Sequence, residues 1–182
     1  MKILFINACA RKESRTLILA KELLLGLPGQ IEEVNLFETD LKPLDAKRIV
    51  TRVIDLNEQI YAKQFAQADI IVIAAPLWDL SFPAALKVYI ENITISGITF
   101  KYTEKGPKGL CNAKVLYYVS TSGGEYVKDY GYEYIKSLCN VLFGIKNTEC
   151  FTADRLDIYG SNVVEILEDS LEEINTYTNK IE

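Results

Sequence analysis

Basic and hydroxyl side chains are concentrated in residues 7–16, between an apolar segment and a helix-forming one. The free N–H groups and the positive dipole end at the start of a helix favour a bound phosphate. The stretch has no glycine and matches neither a Walker P-loop nor a GxGxxG motif. It predicts a phosphate site, although the same side chains could simply cap a helix and face solvent. The candidate phosphate ligands are Arg11, Lys12, Ser14, Arg15 and Thr16.

Two later loops carry groups that suit a planar ligand. Residues 76–83 include Trp78, the only tryptophan, whose side chain could flank a planar ring or cap the core. Residues 120–124 include Gly123 and Gly124, which allow close approach of the backbone to a ligand or a positive φ. A phosphate site, an aromatic wall and a close backbone together suit a phosphorylated planar molecule. FMN is the obvious candidate, although the pattern alone does not separate FMN from a nucleotide.

The first loop also has the spacing of a different catalytic motif. From Cys9 to Thr16 it satisfies Cys-x5-Arg-Ser/Thr, the phosphate loop of low-molecular-weight tyrosine phosphatases. A thiolate beside Arg15 at a helix start would have a lowered pKa and could attack a phosphoester, with Asp157 or Asp154 as the acid. The loop lacks the glycine of such phosphate cradles, and the chain has no Asp-Pro-Tyr sequence. A phosphatase is therefore the alternative.

Apolar runs alternate with helical patterns along the chain and would position these loops. Strands are predicted at 3–6, 31–36, 69–75, 114–120 and 146–151, and helices at 14–25, 46–66, from 83, at 126–142 and from 162. Such alternation predicts one α/β domain over residues 1–182, a three-layer, doubly wound, five-stranded parallel sheet of flavodoxin-like order 2-1-3-4-5. The loops after strands 1, 3 and 4 would meet at one edge. Residues 99–110 are predicted as an irregular excursion.

Composition excludes several kinds of chemistry. The chain has no histidine, which excludes Ser-His-Asp and Cys-His catalysis and a histidine-ligated metal. Its net charge of −5 argues against a broad nucleic-acid surface. No apolar run has membrane-spanning length, and the start does not have the pattern of a signal peptide. We expect a cytoplasmic protein that binds neither membrane nor metal and keeps its four cysteines as free thiols.

Three segments resemble one family. Residues 74–78, 83–90 and 96–110 are similar to the FMN-dependent NADH azoreductases, also described as NADH:quinone oxidoreductases. The most specific likeness is Gly-x-Thr-Phe-x-Tyr-Thr-Glu-x-Gly-Pro-x-Gly-Leu over residues 97–110. The opening, Asn-Ala-x-x-Arg-x-x-Ser-x-Thr from Asn7 to Thr16, also resembles the broader family of flavodoxin-like NAD(P)H oxidoreductases.

The resemblance implies a homodimer with FMN in each subunit, each site being completed by the partner. Hydride would pass from NADH or NADPH to the flavin, and then to a quinone or azo compound in the same pocket. The flavin would carry the chemistry, so no side chain is expected to be catalytic. Matching positions would bind the phosphate through Ser14, Arg15 and Thr16. Those lining the flavin ring would be Pro76, Leu77, Trp78, Asp79, Leu80, Thr121, Ser122, Gly123 and Gly124.

Two residues depart from the family pattern. Cys9 stands where these azoreductases usually have a serine that contacts the phosphate, which puts that contact in question. Asp79 stands where asparagine is usual and would bring a negative charge near the flavin. A non-enzymatic flavodoxin electron carrier is a further alternative, although such carriers usually open with a threonine-rich phosphate loop that this chain lacks.

Overall fold

The computed structural model describes residues 1–57 and 59–181. The strands are β1 (Lys2–Asn7), β2 (Gln30–Asn35), β3 (Ile70–Ala74), β4 (Phe100–Thr103), β5 (Gly106–Gly109), β6 (Val115–Thr121) and β7 (Asn147–Ala153). Five of them form a parallel sheet in the order β2-β1-β3-β6-β7. Since β6 and β7 are the fourth and fifth strands of this sheet, the predicted order 2-1-3-4-5 is confirmed.

Helices cover both faces of the sheet. They are α1 (Arg15–Gly26), α2 (Ala46–Thr51), α3 (Ile60–Gln67), α4 (Ala84–Ile93), α5 (Tyr132–Leu138) and α6 (Val163–Thr178). Helix α5 continues into a π-helical turn, Cys139–Phe143, which is capped by Gly144 at a φ of 79°. Across residues 1–57 and 59–181, no helix has both the length and the apolar character needed to cross a membrane.

Alternation along the strands separates two apolar cores. In β1, Leu4 and Ile6 belong to a buried cluster that includes side chains of α3, α4 and α5. Ile3 and Phe5 belong to a second cluster, built with α1 and α6, because successive residues of a strand face opposite sides. The central strand β3 is buried and apolar at every position for the same reason. The result is the predicted three-layer α/β architecture.

The single helix predicted over 46–66 is two helices in the structure. Between α2 and α3, the carboxylate of Asp55 accepts the N–H of Asn57 at 2.8 Å. An aspartate that bonds a backbone N–H two residues further on favours a turn over a continuing helix. The prediction of one continuous helix was therefore wrong, because the helical pattern does not report this competing hydrogen bond.

The helix predicted over 126–142 begins later than expected, at Tyr132. The N–H of Tyr126 donates to the carboxylate of Asp154 at 3.1 Å, which ties this residue to the segment after β7. This contact holds Tyr126 in the segment that precedes α5. The predicted end is confirmed at Gly144, whose left-handed conformation stops the π-helical turn.

Residues 99–110, predicted as an irregular excursion, contain an antiparallel hairpin made of β4 and β5. The hydroxyl of Thr103 closes its turn by donating to the carbonyl of Gly106 at 2.8 Å. Its base packs against the π-helical turn, where a Cβ on Gly109 would lie 2.2 Å from the backbone nitrogen of Gly144. The hairpin lies outside the main sheet, as predicted, but it is regular structure anchored by a contact between two glycines.

Candidate functional site

The carboxyl ends of β1, β3, β6 and β7 meet at one edge of the sheet and border a cavity of about 120 Å³. Backbone hydrogen bonds tie the loops together: Leu77 N–H donates to Thr121 O at 2.9 Å, and Ser122 N–H donates to Ala153 O at 3.0 Å. The lining residues are Ala10, Arg11, Ser14, Arg15, Pro76, Leu77, Trp78, Thr121, Ser122, Gly123, Leu156 and Asp157. The three predicted loops therefore converge, and the loop after β7 joins them.

Some predicted site residues do not line this cavity. They are Cys9, Lys12, Thr16, Asp79, Leu80 and Gly124. Each is adjacent in the chain, or next but one, to a residue that does line it. These six therefore lie next to the cavity lining in the chain without being part of it.

The start of α1 has the features of an anion site. Ser14 occupies the N-cap position, but its side chain makes no capping hydrogen bond. It is buried and lines the cavity. Because the first N–H groups of a helix have no acceptor within the helix, they are available to a ligand. The prediction that Ser14 begins this helix is confirmed, and its hydroxyl is not used to cap the helix.

Thr16, a predicted phosphate ligand, directs its side chain into the protein. It is completely buried, and its hydroxyl oxygen lies 2.6 Å from the hydroxyl oxygen of Thr121. Thr121 ends β6 and lines the cavity. The hydroxyl of Thr16 therefore joins the first turn of α1 to the third loop, and it fixes the distance between two walls of the site.

Cys9 belongs to the first loop, and its side chain packs into the protein core. Its side chain is buried, and its sulfur lies 3.7 Å from the carbonyl oxygen of Ala74. Burial raises the pKa of the Cys9 thiol to about 11, although a hydrogen bond with Ser14 opposes this shift. A thiol with so high a pKa is a poor nucleophile at neutral pH. The position of Cys9 therefore argues against the phosphatase alternative and for a packing role.

The second loop presents Trp78 on a strained turn. Trp78 N–H donates to Ser81 O at 2.7 Å, and Ser81 N–H donates to Trp78 O at 2.9 Å. The two residues between them have positive φ, 51° at Asp79 and 68° at Leu80. This geometry belongs to a type I′ turn, which favours Asn-Gly, and a bulky residue such as leucine rarely adopts it. The turn leaves Trp78 44% exposed at the edge of the cavity.

Neither glycine of the third loop has the positive φ that was one of the two predicted uses of these residues. The positive-φ glycines of the described structure lie elsewhere, at positions 29, 97, 106, 144 and 160. Gly123 instead allows a close approach, because a Cβ there would lie 2.5 Å from the carboxylate of Asp157. A Cβ on Gly124 would meet no atom within 4 Å. The group that closely approaches Gly123 in this structure is therefore the side chain of Asp157.

Leu156 and Asp157 also line the cavity, although Leu156 was not predicted and Asp157 was predicted only as a possible acid of the phosphatase alternative. The guanidinium of Arg15 donates to Asp157 at 2.9 Å and to the carbonyl of Leu156 at 3.4 Å. A signal was present: β7 is parallel to its neighbours, so the loop after it must open at the same edge as the other loops. The site therefore contains an ion pair between α1 and this fourth loop.

Comparisons with known proteins agree with this architecture. The model of the flavodoxin-like fold family matches residues 1–178. An FMN-dependent NADH:quinone oxidoreductase from Clostridium beijerinckii is 38% identical over 189 aligned residues, 94% of each protein. One from Clostridium perfringens is 45% identical over 123 residues, a match that spans 66% of this chain and only 62% of that relative.

Solved structures give the same result. An azoreductase from Bacillus anthracis str. Sterne has a TM-score of 0.87 to this chain at 27% identity, with 99% of both chains covered. Fold and sequence therefore agree over nearly the whole chain. The chain belongs to the flavodoxin-like family of FMN-dependent NADH:quinone oxidoreductases and azoreductases.

Proposed function

We propose that this chain is an FMN-dependent NAD(P)H oxidoreductase that reduces quinones or azo compounds. The observation that carries the proposal is one cavity that joins the charged start of α1 to the ring of Trp78. A phosphorylated planar molecule requires both features. The likeness to the FMN-dependent NADH:quinone oxidoreductase of C. beijerinckii supports FMN over a nucleotide, and NADH as the electron donor.

In this proposal the residues of the first loop hold the phosphate. Ser14 supplies a hydroxyl that does not cap the helix, the first turn of α1 supplies free backbone N–H groups, and Arg11 and Arg15 supply positive charge. Hydrogen bonds from charged donors are worth roughly 1.5–3 kcal/mol each. The side chains of Thr16 and Cys9 support the loop from the core side, because both are buried outside the cavity lining.

The second and third loops hold the ring. Pro76, Leu77 and Trp78 supply an apolar wall that excludes water, and Ser122 and Gly123 supply polar backbone groups. FMN, when bound, supplies the redox chemistry by accepting a hydride from NADH or NADPH and delivering it to the quinone or azo compound in a second half-reaction, a ping-pong scheme. The protein's contribution is binding, orientation and electrostatics, and it requires no histidine.

We also propose that the active protein is a cytoplasmic homodimer whose subunits complete each other's sites. Several large apolar side chains of the second loop and the hairpin are exposed, among them Trp78, Leu80 and Tyr102. Exposed apolar side chains favour a protein–protein contact, and a two-fold contact would cover them in both copies. This supports the hairpin of β4 and β5 as part of the interface.

The cofactor and the activity are tested in one anaerobic titration. Protein purified in the presence of FMN should keep the flavin through desalting, lose its yellow absorbance on addition of NADH, and regain it on addition of 1,4-benzoquinone. A protein that retains FMN but is not reduced by NADH would be an electron carrier. A colourless protein that hydrolyses p-nitrophenyl phosphate, and loses this activity in Cys9→Ser, would be a phosphatase.

A further inference from the structure

The ion pair between Arg15 and Asp157 lies inside the proposed phosphate site. Arg15 is the first residue of α1, and its Nη1 lies 2.9 Å from the Oδ1 of Asp157. Both residues line the cavity. A carboxylate therefore already accepts a hydrogen bond from a guanidinium that the proposed function assigns to the phosphate of FMN.

The backbone of two loops places this carboxylate. Asp157 N–H donates to Gly123 O at 3.0 Å, and Leu156 N–H donates to Ser122 O at 3.2 Å. Only glycine at position 123 leaves room for the side chain, since a Cβ there would lie 2.5 Å from Asp157 Oδ2. The position of the carboxylate is therefore a built feature of the site, and the pairing with Arg15 follows from it.

The pair is weak enough for a ligand to break. The side chains of Arg15 and Asp157 are 38% and 69% exposed, so water and salt screen their attraction. Exposed pairs of this kind change an equilibrium by about fivefold at most. A phosphate dianion that approaches Arg15 must share or break the pair, and it also meets the negative charge of Asp157.

We propose that Asp157 competes with the phosphate of FMN for the guanidinium of Arg15, and so lowers the affinity of the site for phosphorylated flavin. This inference rests on the proposed function. Arg11 and Lys12 form no ion pair in the described part of the chain, so the first loop keeps a positive charge while Arg15 is neutralised. Asp157 thereby sets how strongly the site prefers a phosphorylated ligand over an uncharged one.

The test compares Asp157→Asn with Glu125→Gln. Glu125 pairs with Arg155 at 2.7 Å on the same two loops, but neither residue lines the cavity. Both variants remove one negative charge, so the control carries the same change in net charge. Dissociation constants of FMN and of riboflavin, which lacks the phosphate, are measured by quenching of flavin fluorescence at low and at high salt.

Asp157→Asn should bind FMN about fivefold more tightly than the parent at low salt, while riboflavin affinity stays unchanged. The gain should shrink at high salt and disappear when Arg15→Gln is added to both proteins. Equal FMN affinity in Asp157→Asn and Glu125→Gln would overturn the inference, as would weaker FMN binding in Asp157→Asn. A parent protein that binds neither flavin would instead overturn the proposed function.

Discussion

Cys9 shows how the environment of a single residue decides between two chemistries. Burial raises the pKa of its thiol to about 11, so very little thiolate is present at neutral pH. Alkylation of Cys9 by iodoacetamide should therefore be slow at pH 7 and should accelerate as the pH rises towards 11. Peptide mass spectrometry of the folded protein measures this rate site by site.

Replacement of the same residue separates the two functions directly. Cys9→Ser should keep NADH-driven quinone reduction, because its sulfur packs against Ala74 and does not line the cavity. Fast alkylation of Cys9 at pH 7, or loss of flavin reduction in Cys9→Ser with FMN still bound, would contradict the packing role.

Asp79 is the second residue whose chemistry depends on its position. It is exposed on the turn beside Trp78, outside the cavity lining. Reduction adds negative charge to the flavin, and a nearby carboxylate opposes this charge through partly screened electrostatics. Asp79→Asn should raise the midpoint potential by about 20 mV, the equivalent of about 1 kcal/mol for a two-electron couple.

The measurement for Asp79 is a spectroscopic redox titration of the protein with bound FMN. Glu125→Gln, which removes a charge that is paired with Arg155 and is not beside Trp78, is the control and should leave the potential unchanged. The same potential in the parent and in Asp79→Asn would show that this side chain does not sense the flavin.

At the scale of elements, the turn from Trp78 to Ser81 holds local strain. Leu80 has a φ of 68°, which costs a non-glycine residue about 1–3 kcal/mol. Leu80→Gly should therefore increase the free energy of unfolding by up to about 1 kcal/mol, because glycine adopts this conformation freely but loses more entropy on folding. Urea unfolding measures the change.

The matched control for the turn is Leu56→Gly. Leu56 is exposed to a similar extent, 68% against 57% for Leu80, and it has no positive φ. Leu56→Gly should lower the stability slightly, since only the entropy cost is left. If both variants lose stability equally, Leu80 is not strained in the folded protein.

The sequence predicts the sheet better than it predicts the elements that flank it. β3 is apolar at every position and lies between Asp69 and Pro76, so its place at the centre follows from pattern alone. The break between α2 and α3 depends on Asp55 bonding to Asn57, a local choice that helical periodicity does not report. The hairpin was not predicted because its turn, which Thr103 closes, contains no Asn-Gly or Asp-Gly pair.

The candidate site likewise contains residues that the sequence predicts and residues that it does not. Ser14 and Trp78 were predicted from their residue types next to predicted strand ends, and both line the cavity. Asp157 was predicted only as a possible acid of the phosphatase alternative and not as a flavin-site residue, because its position depends on hydrogen bonds to the third loop. Thr16 was assigned to the phosphate, but its hydroxyl lies against Thr121 because the first turn of α1 packs against the end of β6. The pattern of residues along the chain does not show which distant segments are in contact.

At the scale of the whole molecule, the proposed dimer is open to a direct test. Tyr102 is exposed on the hairpin, and we place it at the two-fold interface. Tyr102→Glu buries two like charges near the axis and should shift the protein towards monomer, with weaker FMN binding. Sedimentation velocity and a flavin titration measure both effects.

Leu25→Glu serves as the control for the dimer. Leu25 is 82% exposed on α1, far from the hairpin in the sequence, and the substitution adds the same charge. This variant should stay dimeric. A fully active monomer of the parent protein would overturn the proposed assembly.

The contact between Gly109 and Gly144 has a consequence for how this chain can change over generations. A side chain at position 109 would collide with the backbone at 144, and one at 144 would lie 3.2 Å from Gly109 Cα in a left-handed conformation. A substitution at either position alone would therefore displace the base of the hairpin from the π-helical turn. Natural variation in the hairpin should concentrate in its outer loop, around residues 104 and 105, while positions 109 and 144 are inherited together as glycine.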